Sequence, residues 1–554
     1  MRISIPTFQG MNTALDKPLI NITQSPTAKN CVVRRGKLEP LKSNSFHVPP
    51  TLTANPKTVF LYDDQFWFSW DDHIHAVNSP VAQDQYERVY FTGDGVPKYT
   101  NSSIAIGAGA KPFASYELGL PAPNLPTITT ITYYDQSADL TAGDTGAGYP
   151  IENASGFMNI DTADDETRFY VCTYISAYGE ESQPSLASAA VELYYYKDTV
   201  TLNFTDTSGF GNVNITRRRI YRTATGGETT EFFLVDEQPV STTTYLDNKT
   251  ISELGAQLVT NDFAKPPANM EGIIGTSTGV VIGFAGNELI PSEPYLPYAY
   301  PVAYRQSLVD NVVALAEMSN GIVVATDNKP AIIQGISPDS YTVSTLDAAL
   351  PCVSKRSMVD MGEYAIYASH NGLVAVGNGS ADIITKNVLS QEYWEALSPS
   401  TIHAYRYHQY YVAFYGITSG FVFDVTNGNY FELDFYAKAG FFNTKTGELF
   451  LSVGDDFVVF DSEVNLNYLW TSKEFELTGD VLSCVKVRGE NLENSTIEFF
   501  VDGVSILSYT MNGNLSVFRL PPFRANTVSF SVSGSGIIKN ITIASSMGEL
   551  DNAN

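Results

Sequence analysis

One short motif matches the pattern of a serine nucleophile. Gly275-Thr-Ser277-Thr-Gly279 has the G-x-S-x-G spacing. In many hydrolases this motif places the serine on a sharp turn between a strand and a helix. Here a strand-like run follows the motif, and strands and helices do not alternate around it. The sequence therefore predicts a turn between two blades at Ser277, and no catalytic role for it.

Two neighbouring histidines are the best candidates for metal ligands. Asp71-Asp72-His73-Ile-His75 offers carboxylates and imidazoles, and in a strand the two imidazoles would lie on one face. An Asp-Asp pair is also an ordinary hairpin turn, and no further His or Cys cluster supplies a third group. We expect a turn followed by an exposed strand, and we interpret Asp455-Asp456 in the same way.

The remaining histidines and the cysteines show no ligand spacing. The cysteines are isolated from one another, so neither a disulfide framework nor a zinc site is indicated, and we expect small buried thiols. The histidines indicate packing or surface positions. We therefore predict no catalytic residue, no metal site and no cofactor. The residues concerned are His370, His403, His408, Cys31, Cys172, Cys352 and Cys484.

One dense run of basic residues could suggest nucleic-acid binding. It is Thr216-Arg-Arg-Arg-Ile-Tyr-Arg222. If this run is a strand, Arg217 and Arg219 lie on one face, and Arg218 and Arg222 lie on the other. Because alternation splits the cations and acidic residues surround them, the pattern favours ion pairs within the same domain.

The overall charge argues against a protein that grips nucleic acid. The chain has 60 acidic and 33 basic residues, for a formal net charge of −27. Phosphate binding requires clustered Lys and Arg, so we expect this protein not to grip nucleic acid, although it could surround nucleic acid without binding it. The alternative is that acidity keeps a large assembly soluble. Residues 1–50 are an exception with a net charge of +5, and we expect this segment to dock onto protein, either as a basic arm or as an edge strand.

Hairpin-like units recur through the second half of the chain. Their turns fall near residues 286, 328, 371, 419 and 455. That spacing is close to the period of a propeller blade, about 40–50 residues. A sixth unit with the same rhythm lies at residues 58–77. We therefore predict an all-β chain with a β-propeller of about six blades, one before an insert and about five after it.

Composition and turn signals divide the chain into four parts. We expect an N-terminal segment with the first blade at 1–117, and a fibronectin- or immunoglobulin-like sandwich inserted at 118–265. The remaining blades occupy 266–470, and a second β-sandwich occupies 471–554. Only residues 304–315 and 392–397 look helical. No apolar run is long enough to span a membrane, and we see no signal peptide.

Several stretches resemble the nozzle proteins, also called tail tubular proteins B, of short-tailed bacteriophages. The matching stretches are spread from end to end, at residues 10–12, 28–41, 174–185, 397–412 and 468–475. Residues 28–41 end in a basic turn that contains Gly36-Lys-Leu38, and residues 174–185 resemble the fibronectin-like insert of these proteins.

This resemblance implies a non-enzymatic structural protein of the virion tail, assembled in the cytoplasm of a bacterial host. It implies a homohexamer that hangs beneath the portal and a head-to-tail adaptor ring, with tail fibres or tailspikes as further partners. Genomic DNA would pass through its lumen without specific binding. The alternative is a receptor-binding or glycan-processing tail protein, because propellers also host glycosidases and a carboxylate pair depends on the fold.

Overall fold

The chain consists mainly of short strands. The computed structural model describes residues 2–47, 50–134, 151–152, 158–159, 166–194, 197–224, 231–477 and 481–551. Two α-helices are present in these ranges, α1 at Gln391–Ala396 and α2 at Met547–Asp551. Both are far too short to cross a membrane, and no described helix is long and apolar enough to do so. The 3-10 helices span Ile251–Glu253, Val302–Tyr304, Pro338–Ser340, Lys355–Ser357, Pro399–Thr401 and Leu492–Asn494.

The strands up to the insert form three groups. Five strands belong to the N-terminal segment: β1 Arg2–Ile5, β2 Thr27–Lys29, β3 Cys31–Arg34, β4 Lys37–Pro40 and β5 Ser45–His47. A two-stranded hairpin follows: β6 Thr58–Tyr62 and β7 Phe66–Trp70. A four-stranded antiparallel sheet comes next: β8 His75–Asn78, β9 Val89–Thr92, β10 Lys98–Thr100 and β11 Tyr116–Glu117.

The insert forms a sandwich whose larger sheets contain three strands each. Its strands are β12 Thr127–Thr132, β13 Ile151–Glu152, β14 Met158–Asn159, β15 Glu166–Arg168, β16 Tyr170–Ser176, β17 Val191–Leu193, β18 Thr199–Asn203, β19 Ile215–Thr223, β20 Phe232–Pro239 and β21 Thr244–Asp247. The three-stranded sheets are β12-β18-β21 and β16-β19-β20, and alternate apolar residues from both fill one core. The predicted inserted sandwich is confirmed.

Five further sheets follow the insert, and the first strand of each lies at a common axis around which the sheets are arranged. Their strands are β22 Glu271–Gly275, β23 Val281–Ala285, β24 Glu288–Pro291, β25 Gln306–Ser307, β26 Val312–Met318, β27 Gly321–Thr326, β28 Ala331–Gln334, β29 Thr342–Thr345, β30 Val359–Asp360, β31 Ala365–Ser369, β32 Gly372–Gly377, β33 Ser380–Ile383, β34 His403–Tyr407, β35 Tyr410–Tyr415, β36 Ser419–Asp424, β37 Asn429–Leu433, β38 Ala439–Asn443, β39 Glu448–Val453 and β40 Asp456–Val459. The five predicted hairpins are the two middle strands of these five sheets. The last sheet takes its fourth strand, β5, from the N-terminal segment.

The first strands of seven sheets lie side by side around one axis, in the order β38, β6, β8, β22, β26, β30 and β34, with β34 next to β38. Strand β6 is linked to the next sheet by a hydrogen bond. The hydroxyl of Thr58 accepts it from the backbone N–H of Ile74, the residue before β8, at 2.9 Å. The fold is a β-propeller, as predicted, with six four-stranded blades and one hairpin. The predicted unit at residues 58–77 is not one blade. Its first two strands form hairpin β6–β7, which returns the chain to the axis, and its third strand, β8, starts the next sheet.

Apolar seams between the blades hold the ring together. A blade cannot bury both faces alone, so each seam removes two apolar faces from water. The ring closes where Trp67 of hairpin β6–β7 packs on the last blade, with its ring 4.6 Å from Phe457 and 4.8 Å from Phe450. Phe60 lies 5.6 Å from Phe441 in the same seam.

The C-terminal strands form the predicted second sandwich, but they share it with the N-terminal segment. These strands are β41 Tyr468–Thr471, β42 Phe475–Glu476, β43 Cys484–Glu490, β44 Ser495–Val501, β45 Val504–Thr510, β46 Leu515–Arg519, β47 Thr527–Gly534 and β48 Ile537–Ala544. One sheet is β3-β4-β48-β43-β46, with β1 also on β48. The other is continuous with a propeller blade, because β2 pairs with both β37 and β41.

Two sequence expectations about local structure differ from the structure. Residues 304–315 were expected to be helical, but they form the end of a 3-10 turn, β25 and the start of β26. Strand β26 is buried on both faces between blades, so its apolar residues do not alternate and resemble a buried helix. Residues 1–42 were grouped with the first blade, yet strands β1 to β4 lie in the C-terminal sheets.

The helix expected at 392–397 is confirmed as α1. Ser390 precedes it with extended backbone, and its hydroxyl accepts from the N–H of Tyr393 at 3.1 Å. This is the usual N-cap arrangement for serine.

Candidate functional site

The first strands of the blades enclose a cavity of about 430 Å³ on the propeller axis. Its walls are mainly apolar, with Phe60, Leu315 and Phe441 among them, and its polar groups include His75 and Asp360. Small-molecule sites usually measure about 300–1,000 Å³ and combine apolar walls with a few polar groups. By size and lining, this cavity is the best candidate for a ligand site.

The 3-10 helix at Lys355–Ser357 crosses the ring beside this cavity. One terminal nitrogen of Arg356 donates hydrogen bonds to the backbone carbonyls of Lys57 and Lys438, at 2.8 and 3.0 Å. On the other side of the axis, Lys355 pairs with Glu271 of β22 at 3.2 Å. The 3-10 helix therefore connects three blades across the axis and obstructs a passage through the propeller.

His73 and His75 lie side by side next to this obstruction, with ring centroids 4.5 Å apart. Burial, together with the nearby charge of Lys355, lowers the pKa of His73 to about 2 and that of His75 to about 4. Both imidazoles are therefore neutral at pH 7. The described residues contain no group of three or more His, Cys, Asp or Glu that could hold a metal ion. The expected turn is present, since Asp71 and Asp72 follow β7, but the expected exposure of the next strand is wrong: β8 lies at the propeller axis, and only Asn78 in it is exposed.

Ser277 lies in a turn, as predicted, but this hairpin turn joins β22 and β23 within one blade and does not connect two blades. Its backbone N–H donates to the carboxylate of Glu317 at 2.6 Å, and the turn is closed by a bond from Gly279 N–H to the carbonyl of Thr276. A strand follows the turn, so the strand-turn-helix arrangement of a nucleophile elbow is absent at this position. Ser277 and Glu317 line a second cavity of about 320 Å³ with Tyr341.

The arginine run forms β19, and its side chains alternate as predicted. Arg217 and Arg219 pair with Glu237, at 2.5 and 2.8 Å, and Arg219 also reaches Glu181 at 2.6 Å. On the opposite face, Arg218 pairs with Asp206 at 2.8 Å. The prediction of ion pairs within the insert is confirmed, and these cations are already engaged inside their own domain.

A buried ionic cluster inside the insert was not predicted. Arg222 lies 3.4 Å from Glu166 and 3.4 Å from Asp247, and Arg168 contacts the same two carboxylates. The hydroxyl of Tyr170 donates to Asp247 at 2.7 Å. The only sequence signal was the i, i+2 spacing of Glu166 and Arg168 on one strand, which places both side chains on one face.

The N-terminal segment docks onto its own chain. Besides the strand pairs given above, Arg34 forms an ion pair with Asp461 at 2.9 Å, and Lys37 forms one with Glu490 at 3.4 Å. Two of its basic residues are therefore engaged with protein carboxylates, in line with the docking expected from the charge pattern.

The remaining candidates are structural. All four cysteines are free and buried, and burial raises the pKa of Cys172 to about 11 and that of Cys352 to about 12. Neutral buried thiols are poor nucleophiles. Asp455 and Asp456 lie at the turn into β40, His370 lies in the β31–β32 turn, and His403 is buried at the start of β34. His408 follows β34 and its ring lies 4.6 Å from that of Tyr407.

Comparisons with known proteins bear on the fold alone. No protein-family model matches this chain, and no curated protein matches it. The solved structures to which it is similar include BamB from Moraxella catarrhalis, at 10% identity over 60% of this chain and 97% of that chain, with a TM-score of 0.25. They also include the Pan2 WD40 domain of Neurospora crassa, at 10% identity over 48% and 87% with a TM-score of 0.25. The RRP9 WD40 repeats match at 9% identity over 75% and 99%, with a TM-score of 0.29.

Proposed function

We propose that this chain is a structural subunit of a short bacteriophage tail and forms the distal nozzle through which genomic DNA leaves the particle. The observation that carries the proposal is where the resembling stretches fall in the fold. Residues 28–41 form the end of β2 together with β3 and β4, and residues 468–475 form β41 and the start of β42. Residues 397–412 lead into β34 and β35 of the same ten-stranded sheet.

Residues 28–41 and 468–475 therefore meet where propeller and C-terminal sandwich are joined, whereas residues 397–412 lie in the inner strands of that blade and residues 174–185 lie in the insert. That joint is built from strands far apart in the chain, so the propeller blade and the sandwich are parts of one sheet. A part of a tail that transmits force during ejection requires such a rigid connection. This supports a structural role more directly than any single motif does.

The cavity within one propeller cannot be the DNA passage. A volume of about 430 Å³ is far too small for a duplex, whose major groove alone is about 12 Å wide, and Arg356 is bonded to two other blades beside this cavity. A conduit must therefore be formed between copies of the chain around a common axis. The resemblance implies six copies, in contact with an adaptor ring above and with tail fibres or tailspikes around them.

We further propose that the wall of this lumen is acidic. DNA carries one charge per roughly 1.7 Å of axis, so a basic wall would bind it at many points. An acidic wall keeps the duplex hydrated and lets it slide. The net charge of −27 and the internal pairing of the arginine run support this hypothesis. If the acidity serves solubility alone, carboxylates should show no preference for the lumen over the outer surface.

Electron microscopy of the purified full-length chain, with a DNA-binding measurement, tests the proposal. We expect tubes with six-fold symmetry, and no binding of duplex DNA at low salt. Tight binding that weakens steeply with salt would contradict the acidic lumen. A monomer or trimer that binds or cleaves bacterial surface glycans would support the receptor-binding alternative instead.

A further inference from the structure

The cavity of about 430 Å³ on the propeller axis, here called the axial cavity, is obstructed at one end. The 3-10 helix Lys355–Ser357 lies at the beginnings of three first strands. Its contacts reach Lys57 before β6, Lys438 before β38 and Glu271 at the start of β22. Met358, which follows this helix, lines the cavity. The axial cavity is therefore a hollow that a ligand enters from the other end.

Two carboxylates lie at that other end. Glu317 is near the end of β26 and Asp360 is the last residue of β30, and both line the cavity. The two strand ends adjoin, because the N–H of Ser319 donates to the carbonyl of Gly362 at 2.8 Å. Asp360 is exposed, so the cavity is open to solvent here. Backbone N–H groups hold both carboxylates in place, that of Ser277 on Glu317 and that of Gly362 on Asp360, each at 2.6 Å.

No cation neutralises these carboxylates within the described part of the chain. The described lining contains no Lys or Arg, and His75 in the lining is neutral at pH 7. Arg406 lies close enough to favour the charged form of Asp360, but it forms no ion pair with it and donates to the carbonyl of His408 at 3.3 Å. Burial raises the pKa of Asp360, and the charge of Glu317 acts in the same direction. A crowded carboxylate without a counter-ion favours a bound cation.

The walls between the two ends are apolar. They include Phe60, Ile74, Ile273, Leu315 and Phe441. A ligand that is polar throughout would leave its groups unpaired against these walls, and an anion would meet two carboxylates at the entrance. The walls therefore favour a hydrocarbon stem, and the entrance favours a positively charged head.

We propose that the axial cavity binds a protonated amine on an apolar stem, with the stem against the walls and the ammonium at Glu317 and Asp360. This inference goes beyond the structural role proposed above and does not depend on it. An ammonium offers three donors and no acceptor, which suits oxygens that only accept. A metal ion fits less well, because the described residues contain no group of three or more His, Cys, Asp or Glu that could hold one.

Calorimetric titration of the full-length chain at pH 7 tests the proposal with simple probes. Butylamine and hexylamine differ only in stem length, whereas hexanol and hexanoate carry a neutral and an anionic head on nearly the same stem. Hexylamine should bind about tenfold more tightly than butylamine, because two more methylenes leave water. Hexanol should bind at least about tenfold more weakly than hexylamine, and hexanoate should not bind.

Removing the two charges separates the head from the stem. Glu317→Gln/Asp360→Asn should weaken hexylamine binding at least about tenfold and hexanol binding less than about twofold, because the apolar walls remain. The matched control is Asp382→Asn/Glu392→Gln, which changes the net charge equally at two exposed positions elsewhere. The control should bind hexylamine like the wild type.

Filling the cavity should affect every probe alike. A Cβ added at Gly275 meets only Val77, at 3.8 Å, and both residues line the cavity. Gly275→Val should therefore fold with an unchanged melting temperature. It should weaken hexylamine and hexanol equally, by about tenfold, because it takes up space that the stem occupies.

The same chemistry is offered by a free amine and by a lysine side chain of another protein. Native mass spectrometry of the purified chain shows a retained free amine as added mass. A reagent that joins amines to carboxylates instead attaches a lysine-containing peptide to Glu317 or Asp360 in the assembled particle. Each result supports the inference and identifies the source.

Three results would overturn the inference. They are a folded wild type that binds none of the probes, equal binding of hexylamine, hexanol and hexanoate, and a carboxylate variant that binds hexylamine as tightly as the wild type. Binding of Mg²⁺ at these carboxylates in place of hexylamine would also overturn it and make the entrance a metal site. None of these results bears on the nozzle proposal, which the symmetry of the assembled particle decides.

Discussion

Replacing Trp67 with alanine tests whether the propeller ring is closed. Trp67 is only 6% exposed and lies between hairpin β6–β7 and the last blade. Its ring lies within 4.6–5.8 Å of Phe457, Phe450 and Phe441. The substitution therefore removes the largest apolar contact across the closing seam.

The expected cost follows from burial and from the cavity left behind. Truncation of a buried Trp to Ala costs about 3–5 kcal/mol. In a domain of this size each kcal/mol shifts the melting temperature by roughly 2–4 °C, so the shift should be at least roughly 6 °C. Trp67→Phe should lose only part of this, because a smaller ring still packs against Phe457.

Thermal and urea unfolding, followed by circular dichroism, measure the effect. Ile417→Ala is the control, because Ile417 is 82% exposed in a blade turn, and it should change stability by less than about 0.5 kcal/mol. A folded Trp67→Ala protein that loses less than about 1 kcal/mol would refute the reasoning, since the hairpin could not then be packed on the last blade.

Four further results are expected. Arg222→Met should destabilise the insert by about 3–5 kcal/mol, because it leaves buried carboxylates with one cation fewer. Arg217→Met, at a half-exposed ion pair, should cost less than about 1 kcal/mol. Protease resistance and thermal unfolding measure both effects. The pKa of His75 is about 4 in the folded chain, below its ordinary value of 6.5, so the unfolded chain binds more protons as the pH falls. Stability should therefore drop from pH 6.5 towards pH 4, and His75→Gln should reduce the slope between pH 7 and pH 5 in urea titrations. Deletion of residues 2–42 should abolish folding or ring assembly, because it removes the central strand β2, and normal incorporation into tails would contradict this. Ser277→Ala should leave any esterase or glycosidase signal unchanged, and a loss of turnover with intact folding would show that the turn is catalytic.

Local patterns predicted the blades well, because each blade is built from hairpins of consecutive strands. The turns at Gly286 and Gly454 require a positive φ, and glycine adopts it without strain. The alternation of Arg217 to Arg222 predicted which face each arginine would occupy, since a strand has a period of two. In both cases the decisive interaction lies within a few residues or within one sheet.

Interactions between distant segments could not be predicted. Ala28 lies opposite Trp470, and Lys29 lies opposite both Leu469 and Glu432, so β2 joins two sheets through residues more than 400 positions away. No period in residues 27–29 signals these partners. The same holds for the obstruction of the axis by Arg356, which depends on the carbonyls of Lys57 and Lys438.

The most direct test of the account is a cryo-electron microscopy reconstruction of the virion that carries this chain. The account predicts six copies at the distal end of a short tail, below the adaptor ring. It further predicts that their lumen is lined mainly by Asp and Glu. Copies placed as trimeric fibres or spikes at the side of the tail, or a lumen lined by Lys and Arg, would contradict it.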